Sequence, residues 1–114
     1  MRPERTYKDY LADMLDAISK ARRFVEGMTF EEFSADDRTS FAVVRALEII
    51  GEAAKKLPPD IRARQPQIPW REVGGMRDKL SHDYFGVNLA VVWETLANDL
   101  PSLETALRSL AADG

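Results

Sequence analysis

Arg77, His82 and Tyr84 fall close together in the stretch Met76-Arg-Asp-Lys-Leu-Ser-His-Asp-Tyr84, and His82 is the only histidine of the chain. An imidazole with a pKa near neutrality can take the proton from a 2'-hydroxyl or give one to a leaving oxygen. An arginine can bind a phosphate through two parallel hydrogen bonds and stabilise the charge that grows in the transition state. Together these groups suffice for RNA cleavage without a metal. With no cysteine and one histidine, the chain cannot build a usual zinc site by itself, so any metal chemistry would rest on carboxylates. No metal and no cofactor is expected.

Helical geometry sets a condition on this cluster. Five residues at 100° each place His82 about 140° around a straight helix from Arg77, whereas Tyr84, seven residues on, returns to the Arg77 side. Either the helix frays near Ser81, or catalytic groups from two chains meet across an interface. The interface is the favoured reading. A two-fold symmetric dimer would bring two copies of His82 together and supply both an acid and a base.

The elements that must position these groups read as helices. Tyr7, Tyr10, Leu11, Met14, Leu15, Ile18, Ala21 and Val25 recur every three or four residues, which predicts a long amphipathic helix from Pro3 to a stop at Gly27. Thr29 and Glu32 form a capping-box pattern that opens a short helix with Phe30 and Phe33. Asp36-Asp37 starts a second long helix, and Pro58-Pro59 ends it. Its apolar positions, including Phe41, Val43, Val44, Leu47, Ile50, Ala54 and Leu57, cover more than one stripe, so it should lie between neighbours. Glu52 in this helix receives no chemical role.

Residues 59–66 allow a short helix with Pro59 first. Pro69 can start another that carries Trp70, Val73, Met76, Leu80 and Tyr84 on one side. Gly74-Gly75 inside it costs about 1 kcal/mol per glycine relative to alanine, and predicts a kink or a close backbone approach, across a subunit boundary or otherwise. Asn88 caps the last helix, with a kink expected at Pro101. Trp70 and Trp93 read as core residues rather than stacking platforms. The expected fold is all-α, an antiparallel up-and-down bundle of about four or five helices.

The length, 114 residues, suits one domain with one core. No apolar run approaches the roughly 20 residues of a membrane span, and no signal-peptide pattern opens the chain, so a cytoplasmic location away from membranes is expected. The net charge of −3 argues against coating nucleic acid through an overall field. Between Lys55 and Leu80, however, seven basic residues stand against three acidic ones, making this stretch +4 and the remainder −7. It either meets phosphate or is a set of solvated helix faces.

The pattern Arg-x-x-x-x-His-x-Tyr occurs here with two further segments. They are Ala42-Val-Val-Arg-Ala-Leu-Glu-Ile-Ile-Gly-Glu-Ala-Ala-Lys-Lys-Leu57 and Ile68-Pro-Trp-Arg-Glu-Val-Gly-Gly-Met-Arg77. In this order they resemble the HepT toxins of the HEPN superfamily over nearly the whole chain, down to Trp93 and Asp99-Leu-Pro101. The resemblance implies a single HEPN-like domain over residues 1–114. It implies a homodimeric, metal-independent endoribonuclease with Arg77 and His82 of both chains lining an interfacial cleft. Asp78, where the superfamily usually has a polar residue, is implied as supporting. The resemblance also implies the toxin of a type VII toxin–antitoxin system, with RNA, transfer RNA or messenger, as substrate. The partner would be an MntA-type nucleotidyltransferase antitoxin that adds AMP to Tyr84, in an assembly of a dimer or larger. Some HEPN domains bind a nucleotide or dock such a partner without cutting RNA, which is the alternative.

Overall fold

Helix α1, Tyr7–Phe24, begins where Thr6 and Asp9 take up the orphan donors of its first turn: the Thr6 N–H donates to the Asp9 carboxylate at 2.8 Å. The structure, a computed structural model, describes residues 5–80 and 86–113. Pro3 was expected as the first helical residue; the helix opens later, at the Thr6–Asp9 pair, and Pro3 itself lies outside the described residues. Leu11, Met14, Ala17, Ile18 and Ala21 form its buried face. After Val25 the chain turns at Gly27, whose φ of 79° is left-handed and favours glycine.

The expected capping box is present at α2, Phe30–Ala35. The Glu32 N–H donates to the Thr29 hydroxyl at 3.1 Å, and the Thr29 N–H donates to the Glu32 carboxylate at 2.9 Å. Phe33 is fully buried, and Trp93 packs on Phe30 and Phe33 with ring centroids 5.9 and 5.2 Å apart. Trp93 is thus half-buried and packed against the core.

Helix α3, Asp37–Lys55, is capped by Asp36, which accepts from the Thr39 N–H at 3.1 Å and from the Thr39 hydroxyl at 2.9 Å. The backbone bond from Thr39, then its hydroxyl bond, hold the Asp36 carboxyl below its ordinary value. Helix α3 packs against α1 and α2 on its way to the elements that follow, as its broad apolar surface predicts. Helix α4, Pro59–Arg62, starts on Pro59 and buries Ile61.

The helix expected from Pro69 is divided in two: α5, Trp70–Gly74, and α6, Met76–Leu80, with the break at Gly75. Both pack on α3. The close approach that the two glycines suggested is made within the chain, and its tightest point is a third glycine, Gly51 of α3. A Cβ placed there would lie 2.9 Å from Met76 Cβ and 3.0 Å from the Val73 carbonyl oxygen. Trp70 is held by its indole N–H, 3.0 Å from each of the Arg62 and Gln65 carbonyls.

Helix α7, Leu89–Glu94, leads through a π-helical turn, Thr95–Asp99, into α8, Leu100–Ala112. A single helix kinked at Pro101 was expected. Pro101 instead sits in the first turn of α8, and the departure from α geometry falls in the five residues before it. The proline ring crowds the carbonyl four residues back. The buried residues Val92, Leu96 and Leu100 also follow one another by two four-residue steps. In an α-helix these would drift about 80° around the axis, and a wider turn takes up that drift.

Helix α1 lies between α3 and α8, and residues from all of these elements form one core. The fold is all-α, a helical bundle, as expected. Among the described residues, no helix is long and apolar enough to cross a membrane.

The crossing of α3 under α5 and α6 is testable at Gly51. Alanine gains about 1 kcal/mol of helix propensity over glycine, but here its methyl meets backbone and a Cβ, neither of which can rotate away. Gly51→Ala should lower stability by a net ~1–2 kcal/mol, the overpacking cost exceeding the propensity gain. That corresponds to a Tm lower by roughly 4–16 °C in thermal unfolding of a domain this size. A Tm at or above wild type would mean that the crossing opens freely.

Candidate active site

Helix α6 is short and two-sided. Met76 and Leu80 point into the core, 3% and 1% exposed, while Arg77, Asp78 and Lys79 are exposed. This follows from the sequence: positions four apart share a face, and the three charged residues between them cover the rest of the circumference. Two contacts fix the element beyond its core anchors. The Lys79 ammonium pairs with the Asp99 carboxylate in the π turn. The Leu80 carbonyl accepts from the Asn88 N–H at 2.8 Å, so the residues flanking the motif segment are joined. Asn88 in turn caps α7, its side-chain oxygen accepting from the N–H groups of Ala90 and Val91 at 3.1 and 3.2 Å.

Arg77 stands at this surface with its side chain 80% exposed, and its Nε is 3.9 Å from Oε2 of Glu48 on α3. Glu48 also reaches Arg45, Oε1 to Nη1, at 3.6 Å. Sequence reasoning missed Glu48. The available signal was a carboxylate in a largely apolar helix, one turn before an interior glycine. Asp78 is the next exposed residue of α6. His82 and Tyr84 lie outside the described residues, and so does the relation of the imidazole to the guanidinium.

The basic stretch does not form a single strip. Lys79 is engaged with Asp99, Arg77 approaches Glu48, and Arg64 approaches Asp113 at 4.0 Å. Lys55 runs past Gly74, its Cγ 3.3 Å from where a Cβ there would be. A cleft of about 200 Å³ opens between α5, α6 and α8, lined by Ile68, Val73, Met76 and Leu103 with Lys79 and Asp99 at its edge. It is mostly apolar and Arg77 does not line it, so it is no phosphate pocket. Glu52 is exposed beside a shallower cleft shared with Arg45 and Lys56. Among the described residues no three carboxylate or histidine side chains converge as a metal site.

An all-helical bundle that presents an exposed arginine on a short, core-anchored helix is consistent with a HEPN-like fold. The family model described as "Ribonuclease HepT-like" matches residues 14–110. A relative named "Probable ribonuclease HepT" from Thermococcus cleftensis is 50% identical over 107 residues, covering 94% of this chain and 97% of that one. Two relatives whose names mark them as candidate RNases are comparably similar. One, from Methanocaldococcus jannaschii, is 43% identical over 97% of this chain and 92% of its own. The other, from Caldanaerobacter subterraneus, is 42% identical over 93% and 95%. No solved structure matches. The chain belongs to the HepT-like ribonuclease family.

The cap that follows the motif segment has a measurable contribution. Asn88→Ala removes the acceptor for two N–H groups of α7 and should cost about 1 kcal/mol in urea or thermal unfolding, with Asn88→Asp close to wild type. An alanine variant as stable as wild type would show that the cap is dispensable.

Proposed function

We propose that this chain is a metal-independent endoribonuclease, the toxin of a type VII toxin–antitoxin pair, with Arg77 and His82 as its catalytic groups. The observation that carries the reading is the Arg77-x-x-x-x-His82-x-Tyr84 pattern, with Arg77 at the exposed surface of α6, in a chain of the HepT-like ribonuclease family. His82 takes the proton of the 2'-hydroxyl. The resulting oxygen attacks the adjacent phosphorus, and the 5'-oxygen leaves with a proton from an imidazolium. Arg77 binds the non-bridging oxygens and stabilises their growing charge. Asp78 supports this edge of the site.

One histidine per chain supports a homodimer in which two copies of His82 serve as base and acid. A second support is Phe41, 77% exposed on α3. It lies seven residues before Glu48 and hence on the same stripe of the helix. A symmetric contact along this stripe would cover the ring and bring the two Arg77 sites together.

Silencing would come from an MntA-type nucleotidyltransferase. The phenol oxygen of Tyr84 attacks the α-phosphorus of ATP, pyrophosphate leaves, and the phenolic proton is released. The attached phosphate would pair with Arg77 and exclude RNA by charge and by volume. A cytoplasmic location, where RNA and ATP are available, goes with this reading.

Cleavage of RNA by the purified chain should persist in EDTA and fall at least ~100-fold in His82→Ala or Arg77→Ala, the range of a lost general acid–base or charge-stabilising group. If the wild type cuts no RNA beyond the level of His82→Ala, the cleavage reading fails and the binding-module reading takes its place. Co-expression with the nucleotidyltransferase should add whole AMP units to the intact mass, mapped to Tyr84 and absent from Tyr84→Phe. Unchanged mass would remove this mode of silencing.

A further inference from the structure

The contact between Arg77 and Glu48 is unequal. Arg77 is 80% exposed and sits on a five-residue helix; Glu48 is 25% exposed and stands in the middle of a nineteen-residue one. Beside Glu48 the backbone is fixed by Leu47 and Ile50, both fully buried, and by Gly51 under Met76. Since Met76 is the residue before Arg77, the tight crossing at Gly51 sets how far the backbone of Arg77 stands from that of Glu48. A long exposed side chain has wide rotamer freedom, and here the seated partner is the acid.

The atoms in contact carry the argument further. Glu48 is closest to Nε, whereas the two terminal nitrogens make up a different edge of the fork, suited to bidentate binding of phosphate. Glu48 adds nothing to affinity for RNA, because a carboxylate beside a phosphate site repels the ligand. Nor does an ion pair this exposed add much to folding. At 3.9 Å the contact is an ion pair rather than a hydrogen bond, so what it supplies is a charge on the Nε side of the guanidinium.

We propose that Glu48 is a positioning residue for the ribonuclease reaction: it holds the Nε edge of Arg77, shared with Arg45 on its own helix, so that the terminal nitrogens meet the scissile phosphate. This rests on the proposed ribonuclease activity. The two effects of Glu48 have opposite signs, which makes the role separable from a structural one. Removing its charge loosens the guanidinium and also relieves repulsion of RNA.

The test uses the full-length protein and its Glu48→Gln, Glu48→Asp and Arg77→Ala variants. Steady-state cleavage of a short RNA is followed together with thermal unfolding and the ¹⁵N order parameter of the Arg77 Nε–H. Glu48→Gln should lower kcat by about 10-fold, less than the ~100-fold of a 1 Å misplacement. KM should stay unchanged or fall, Tm should stay near wild type, and the Nε–H order parameter should drop. Glu48→Asp should recover part of kcat. A Glu48→Gln variant with wild-type kcat, or with kcat and Tm falling together, overturns the proposal. An order parameter equal to wild type overturns it as well, and this readout stands even if no RNA is cut. Absence of cleavage by the wild type, or an Arg77→Ala variant as active as wild type, would instead sink the ribonuclease reading.

Discussion

The contact between α3 and the α5–α6 pair is closer than any side chain larger than hydrogen at position 51 allows without movement, and the rest of the molecule is arranged around it. A Cβ on Gly51 would stand 2.9 Å from Met76 Cβ and 3.0 Å from a backbone oxygen. Closeness of this kind lets short helices reach the core: Val73, Met76 and Leu80 are buried although α5 and α6 have five residues each. In isolation such helices would not form, since nucleation is unfavourable and propagation brief. Their helicity is a product of packing. The motif arginine therefore inherits its place from a glycine twenty-six residues earlier in the chain.

Charge follows from the same arrangement. With Met76 and Leu80 directed inward, the three residues between them face solvent, and two of them find partners on different neighbours. Lys79 reaches across to the π turn and Arg77 toward α3. The helix is thus braced from two sides by opposite charges while its backbone is tied to Asn88. Individually these surface pairs are weak. Acting at both flanks of a helix one turn and a half long, they restrict rotation about its axis, the degree of freedom that core burial of two residues constrains least.

Much of this architecture was legible in the amino-acid order because its causes are local. The capping pair Thr29–Glu32, the Asp36 cap, the stop at Gly27 and the break at Gly74-Gly75 act over a few residues, and the structure bears them out. The start of α1 was misplaced toward Pro3 because a proline and the Thr6–Asp9 pair both signal a helix start, and the latter satisfies more backbone donors. Two features were not legible. The pairing of Glu48 with Arg77 joins positions far apart in the chain and depends on the crossing distance, which no local pattern encodes. The turn at Thr95–Asp99 was read as a kink at Pro101 because the proline is conspicuous, whereas the two four-residue steps from Val92 to Leu100 are not. Of the candidate site, the structure places Arg77 and Asp78 on the exposed side of one helix, while their roles and their grouping with His82 and Tyr84 belong to the sequence pattern alone.

That wide turn makes the length of the last rod part of its function as a brace. Leu100 bonds back to the carbonyl of Thr95, a loop one residue longer than the α-helical closure. Removing one residue there would restore regular winding and leave the flanks in phase, Leu100 then standing seven steps from Val92 and within about 20° of it around the axis. The turn therefore holds one residue more than regular winding needs, without moving the apolar face on either side of it.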